Sequence, residues 1–238
     1  MSDLVVPGLY IRQASTPDEL DVLRATMESV WGPEIVPPRN LLRGLAIGGA
    51  CLLVAFVDDR PVGFALGWMG WHGGVHFHSH QVGVVADVRG GGVGLALKLA
   101  QRNLCLSEGV TEMRWTFDPL LWTNARFNLV RLGAHVVEFL PHCYGDRRDA
   151  FNTGEITDRV EVSWRLDRPV GGVESPDSDG VDVIEIPRDY PVIRTTAPEL
   201  AVKWRAQVGA QFAELIASGG AVVGFGNHGY VVRRGTGS

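Results

Sequence analysis

Apolar and polar positions along the chain change spacing in an ordered way. Leu9 to Gln13 reads as a short first strand. Thr16-Pro17-Asp18-Glu19 then has the form of a capping box with proline at the first helical position. Leu20, Leu23, Met27 and Val30 follow at helical spacing, which predicts one apolar stripe. Gly32-Pro33 and Pro37-Pro38 break that helix, and a second short helix is predicted from Arg39 to Ile47. Ala50 to Val57 is almost wholly apolar, as a central strand requires. Asp58-Asp59-Arg60-Pro61 turns the chain, Val62 to Trp71 returns as a hairpin partner, and Gly73-Gly74 leads into a fourth strand, Val75 to Ala86.

The second half continues with alternating strands and helices. A helix follows Gly94, with Val93, Leu97, Ala100 and Leu104 as its expected buried stripe and Gly109 as its stop. Thr111 to Phe117 is a fifth strand. Thr123-Asn124 opens a helix that Gly133 stops, and Ala134 to Leu140 is a sixth strand. After a polar loop from Pro141 to Thr157, Arg159 to Leu166 is a seventh. Positions 167–180 are rich in Pro, Gly, Ser and Asp and read as a linker. Beyond them lie a strand (Val181 to Ile186), a second capping box (Thr196-Ala197-Pro198-Glu199) and a stripe of Leu200, Trp204, Val208, Phe212 and Leu215. A closing hairpin follows at Val222 to Phe225 and Tyr230 to Arg233. The expected organisation is a domain over 1–166, a linker over 167–180 and a small α/β extension over 181–238. At that size the extension buries little core alone, so it is expected to pack on the first domain.

Composition narrows the classes. The 238 residues are 45% hydrophobic and 21% charged, ordinary for a globular protein. The net charge of −5 argues against a nucleic-acid-coating surface. Lys98 and Lys203 are the two lysines; every other cationic side chain of the Lys/Arg pair is arginine. Three widely spaced cysteines without a CxxC predict neither a disulfide framework nor a Cys-rich zinc site, and suggest a reducing, cytoplasmic setting. Asp3, Arg12 and Asp18 interrupt the N-terminus, so no signal peptide is expected there, and the apolar run from Gly44 to Val57 is too short to span a membrane.

The chemistry-bearing segment is strand, then Arg89-Gly90-Gly91-Gly92-Val93-Gly94, then helix. The first amides of a helix lack internal partners and sit at the positive end of its dipole. Glycines let a phosphate approach that backbone closely, and Arg89 adds a forked charged donor. The segment reads as a pyrophosphate cradle. It is not a Walker loop, because no Gly-Lys-Ser/Thr string occurs. It is not a dinucleotide fingerprint either, since Leu97 stands where the third glycine belongs. A bare turn needs fewer glycines than four in five positions.

Arg89-x-x-Gly92-x-Gly94 after an apolar strand resembles the signature of the GNAT N-acyltransferase superfamily. Asn124-Ala125 followed by a helix and Leu132-Gly133-Ala134 looks like its next motif, and the element order over Leu9 to Leu166 is similar. More narrowly, His78-Ser79-His80-Gln81-Val82-Gly83-Val84, Trp115-Thr116-Phe117-Asp118-Pro119 and Tyr144-Gly145 with Thr157-Asp158-Arg159 look like a branch of predicted acyltransferases that carries a C-terminal extension. The resemblance implies a mixed, mostly antiparallel α/β (α+β) sheet with splayed central strands and helices on both faces. It also implies acetyl-CoA, or another short acyl-CoA, as cosubstrate between the fourth and fifth strands. The backbone of Val84 and Val85 would pair with the pantetheine arm. Amides from Gly90, Gly91, Gly92, Val93 and Gly94 would hold the pyrophosphate, and Asn124 would face the cofactor from the opposite wall. Gly83 is the expected site of a bulge that opens the splay.

Amide formation from a thioester needs a base, oxyanion donors and a route for protonating the thiolate. His76, His78 and His80 fall on one face of a strand. His78 and His80 are the base candidates, with imidazoles expected near half protonation around neutrality. The amide of Val84 or Val85 is the oxyanion donor. The resemblance would place an acidic tyrosine at Leu129; Tyr144 is the substitute, or water. Asp118 orients a histidine, binds the acceptor amine or caps the Asp118-Pro119 turn. Arg147 and Arg148 are candidates for a substrate carboxylate, and Trp68, Trp71, Trp115 and Trp122 for an apolar acceptor pocket. The function expected is transfer of an acetyl or other short acyl group to the amine of a small molecule or amino acid, with no nucleic-acid or membrane partner and a homodimer by base rate. Two rivals stand beside it: a non-catalytic acyl-CoA sensor, and a metal enzyme using the His76/His78/His80 row.

Overall fold

The computed structural model describes residues 6–145, 148–149, 152–153, 157–172 and 182–235. The chain forms two compact units. One comprises residues 1–113 with 149–151, the other 114–148 with 152–238.

In the first unit, β1 (Leu9–Gln13), β2 (Cys51–Val57), β3 (Arg60–Gly70) and β4 (His76–Val84) pair antiparallel in that order. Helix α1 (Pro17–Trp31) begins as the sequence predicts. Thr16 accepts from the Glu19 amide, and the Glu19 carboxylate returns to the Thr16 amide. Those backbone bonds hold the Glu19 carboxyl down at about 2. Leu20, Leu23 and Met27 are fully buried, and with Leu42 of α2 (Arg39–Ile47) they meet Leu52, Val54, Phe64 and Leu66 of the sheet. Each such side chain contributes about 1.5–3 kcal/mol on leaving water. Helix α3 (Val93–Ser107) covers the opposite face, where a Cβ at Gly63 would meet Val93 and Leu97.

The predicted stripe of α3 is corrected by the structure. Leu104 is exposed and Ala100 only half-buried, whereas Val93, Leu97, Lys98, Gln101 and Cys105 are buried. The rear of the sheet offers polar partners there, so the helix turns a mixed face inward rather than the most apolar one.

The bulge in β4 also lies elsewhere than expected. Leu66 pairs with Gln81 and Gly67 with Ser79, so His80 is the extra residue. Gly83 answers a different demand. A Cβ there would stand 2.5 Å from the Phe64 ring, so glycine is needed for the aromatic to pack over the strand.

In the second unit, β5 (Glu112–Phe117), β9 (Arg159–Arg165) and β6 (His135–Leu140) are neighbours in that order, β9 and β6 antiparallel. Two short strands, β7 (Arg148–Asp149) and β8 (Asn152–Thr153), lie between β6 and β9 in sequence. Helix α4 (Trp122–Arg126) runs on into a π-helical turn, Phe127–Leu132, and Gly133 ends it at φ 80°. The C-terminal segment supplies a small sheet of order β10-β12-β11: β10 is Asp182–Glu185, β11 Ala221–Phe225 and β12 Gly229–Arg233. It also supplies α5 (Tyr190–Thr196) and α6 (Pro198–Ala217).

The second capping box does not form. Thr196 is the last residue of α5, with its hydroxyl bonded to the Val192 carbonyl, so Ala197 starts α6 without a side-chain cap. The stripe of α6 holds at Val208, Phe212 and Leu215, which are buried, but in the first turns Ala201 and Arg205 are the buried residues and Leu200 is exposed. This segment packs within the second unit. Phe212 stacks on Phe139 at 5.5 Å, Phe225 meets Trp122 at 5.5 Å, and the Tyr230 hydroxyl donates to the Pro119 carbonyl at 2.8 Å. Phe212, Phe225 and Tyr230 are thereby buried, which the segment could not achieve alone. Among the described residues no helix is long and apolar enough to cross a membrane.

Candidate functional site

Strand β4 ends at Val84, a short 3₁₀ turn covers Ala86–Val88, and Gly90 (φ 81°) and Gly92 (φ 97°) place the chain at the mouth of α3. These two positive angles are why a side chain is disfavoured at both sites. Gly92 is the N-cap and no side chain caps the helix. The Ala96 amide reaches the Gly92 carbonyl at 3.0 Å, so the amides of Val93, Gly94 and Leu95 precede the first intrahelical bond and face outward. Gly94 is informative because the protein itself does not require it. A Cβ there would meet nothing closer than Val84 Cγ2 at 3.8 Å, ordinary contact. A Cβ at Gly90 would meet nothing within 4 Å. The space over these positions is open to a ligand.

Val84 and Val85 separate in role. The Val85 amide donates to the Val62 carbonyl at 2.9 Å, and its own carbonyl accepts from Val88 at 3.3 Å. Its N–H is committed inside the protein, which leaves it no donor for an oxyanion, while its carbonyl keeps a second lone pair. Val84 pairs with Gly63 in the next position of the antiparallel ladder, where backbone groups point away from the partner strand. Its carbonyl accepts from Arg89 Nε at 3.0 Å. That bond uses one of five guanidinium donors, and Arg89 is exposed beside the glycines.

On the α1 side of β4, His78 and His80 stand 5.7 Å apart, with Trp68 at 5.5 Å and 4.9 Å from them, ring centre to ring centre. Burial, then the neighbouring His80 and His76, lower the His78 pKa to about 4. His78 is therefore uncharged at neutrality, a correction to the half-protonated imidazole that its residue type predicts. His76 is buried and its Nδ1 is bonded to the Gly74 carbonyl at 2.8 Å. Among the described residues no three His, Cys, Asp or Glu side chains are grouped to hold a metal.

On the opposite side, Ser79 points at α3. Its hydroxyl accepts from Lys98 Nζ at 2.8 Å and donates to Gln101 Oε1 at 2.8 Å. Lys98 is 3% exposed, and burial holds its amine well below the usual lysine range. Cys51 and Cys105 lie in the same region, both thiols pushed up to about 12 by burial. Sequence reasoning missed this cluster. Its signal was a lone lysine inside the apolar run Val93-Gly94-Leu95-Ala96-Leu97-Lys98-Leu99.

The second unit holds the other candidates. Asn124 is exposed in the first turn of α4, and Leu129 is buried. Tyr144 is partly exposed; its hydroxyl meets Thr116 Oγ1 at 3.2 Å, and the Arg159 guanidinium lies 5.3 Å from its ring centre. Asp118 is bound by Arg205, Nη1 to Oδ1 and Nη2 to Oδ2, each at 2.6 Å, and it also accepts from the Leu120 amide. Both its oxygens are occupied, which favours the turn-capping role over an acceptor-binding one. Of the tryptophans, Trp71 is 75% exposed, Trp115 is core against Trp164 and Trp122 packs on Phe225. Arg147 and the side chain of Arg148 lie outside the described residues.

Residues 20–125 match the family model described as Acetyltransferase (GNAT) family. Among similar solved structures is Naa50 of Arabidopsis thaliana in complex with the bisubstrate analogue CoA-Ac-MVNAL. It is 15% identical, with 66% of this chain and 97% of that chain covered and a TM-score of 0.53. A ribosomal-protein-alanine N-acetyltransferase from Brucella melitensis is 19% identical over 66% of this chain and 99% of its own, with a TM-score of 0.53. The putative acetyltransferase yncA from Salmonella typhimurium, with its cofactor acetyl-CoA, is 16% identical over 71% and 99%, with a TM-score of 0.52. No curated protein matches the chain.

Proposed function

We propose that this chain, whose residues 20–125 match the GNAT acetyltransferase family model and whose fold resembles that of GNAT structures, is an acyl-CoA-dependent N-acyltransferase. It moves an acetyl or other short acyl group directly to the amine of a small molecule or amino acid. The observation that carries the reading is the uncapped mouth of α3, with Gly94 left open where the fold itself has no need of glycine.

In this reading the amides of Val93 and Gly94, with Arg89, hold the pyrophosphate of acyl-CoA. The outward amide of Val84 pairs with the pantetheine arm and stabilises the oxyanion. The acceptor nitrogen attacks the thioester carbonyl, the C–N bond forms, and the C–S bond then breaks. His78 or His80 takes the proton as the nitrogen becomes acidic in the tetrahedral state. An imidazole already uncharged at neutrality has its lone pair available, although a pKa of about 4 for His78 makes it a weak base before attack begins. The departing thiolate takes a proton from Tyr144 or water. Holding both substrates together supplies much of the rate.

The test is thiol release from acetyl-CoA with a panel of primary amines and amino acids, beside calorimetry with CoA. Turnover supports the reading. Tight CoA binding with no turnover on any amine would assign the chain as an acyl-CoA sensor.

A further inference from the structure

The acyl-transfer reading leaves one polar group in the core of the first unit without a task. We propose that Lys98 is a positioning residue: through Ser79 it bolts the His78–His80 segment of β4 to the cradle helix α3. The inference rests on that reading, because the bolt fixes the proposed base relative to the helix mouth that holds the cosubstrate.

Three observations converge on Lys98. First, the position is central. Lys98 lies five residues after Val93, about 7.5 Å along the helix from the cradle, and Ser79 stands in sequence between the two histidines, beside the bulge at His80. One bond of 2.8 Å therefore joins the two halves of the site from the rear. Second, the room is made for it. Ser79 pairs with Gly67, where a Cβ would stand 2.4 Å from the Phe77 ring, so the rear of the strand is kept small and tightly filled. Third, the residue type is costly. Taking an amine out of water carries a desolvation penalty that an apolar side chain of similar shape does not. A fold that needed only volume at 98 would hold methionine or leucine. Burial favours the uncharged amine, which donates to Ser79 while the Ser79 proton goes to Gln101. The histidines face the other side of the strand, so Lys98 acts through Ser79 and touches no reacting atom.

Lys98→Met and Ser79→Ala, singly and together, test the bolt in the full chain. Turnover is read with acetyl-CoA and the amine of the panel that releases thiol fastest. The proposal expects Lys98→Met to keep or raise the thermal midpoint, to keep CoA affinity within about twofold, and to lower kcat at least about tenfold at an unchanged KM for acetyl-CoA. The double variant should be no worse than Lys98→Met alone. Wild-type turnover in Lys98→Met overturns the proposal. So does a parallel loss of midpoint, CoA affinity and kcat, which marks a structural role only. If wild-type protein neither binds CoA nor turns over, the acyl-transfer reading fails separately. The imidazole nitrogen NMR shifts of His78 and His80 then decide the bolt: moved in Lys98→Met it stands, unmoved it falls.

Discussion

Arg205 and Asp118, 87 positions apart in sequence, meet in a two-pronged ion pair with both N–O distances at 2.6 Å. The partners are 6% and 11% exposed in their side chains, so water screens little of the attraction. Arg159 stands 4.0 Å from the same carboxylate. The pair ties α6 of the C-terminal segment to the end of β5, within one compact unit. It gives Asp118 a structural task beside the catalytic one its place at the end of β5 suggests.

Breaking that pair on one side leaves a buried charge without compensation. Arg205→Met is expected to cost about 3–5 kcal/mol of unfolding free energy in urea melts. Replacing both, as Arg205→Met with Asp118→Leu, should recover most of the loss. Asp118→Asn that abolished turnover while leaving the urea midpoint untouched would return Asp118 to the catalytic set.

Gly92 and Gly94 of the proposed cradle should respond with opposite signs in stability. Gly94→Ala introduces a Cβ with no contact nearer than 3.8 Å, in a helical position. It is expected to stabilise the fold by about 0.5–1 kcal/mol while weakening CoA binding at least about tenfold by calorimetry. Gly92→Ala forces a side chain to φ 97° and should destabilise the fold by about 1 kcal/mol or more. Unchanged CoA affinity in Gly94→Ala would remove the observation on which the functional reading stands.

His78 should make the protein acid-sensitive. Its folded pKa of about 4 lies below the ordinary value, so the fold favours the neutral ring. Between about pH 6.5 and 4 the unfolded chain binds more protons at this site, and stability falls as pH falls. The contribution is fully present above about 6.5. His78→Gln should flatten the urea midpoint against pH across that window and lower kcat by about 10²–10⁴. An NMR titration of the wild-type ring near 6.5 would contradict the burial argument.

Tyr144→Phe removes a hydroxyl and keeps the ring that Arg159 lies over. The loss of the bond to Thr116 should cost about 1 kcal/mol. If Tyr144 protonates the thiolate, kcat should fall in the variant with the KM for acyl-CoA unchanged. A kcat equal to wild type across the pH range would give that proton to water.

The sequence was most readable where local chemistry decides. Thr16 and Glu19 cap α1 because the two halves of the box are three residues apart and nothing competes for them. The same pattern at Thr196 to Glu199 failed because a preceding helix, α5, claims the threonine hydroxyl. The glycine run was legible as a tight strand-to-helix turn, since positive φ at Gly90 and Gly92 is written directly in residue type. His78 and His80 were readable as a pair on one strand. Their protonation was not, because burial and neighbours from other elements set it.

What the sequence determined by itself is the order of strands and helices, the turns, and the glycine-rich mouth of α3. These depend on periodicity, capping and backbone freedom, all local in the chain. Only the tertiary structure decided which face of α3 turns inward, that Lys98 meets Ser79, that the bulge falls at His80, and that Val85 is spent on Val62 while Val84 is not. Those outcomes depend on register and on partners distant in sequence, and a one-residue change of register reverses which side of a strand a group faces. Asp118 shows the same limit: its chemistry was visible, but the arginine that occupies it comes from a helix 87 residues away.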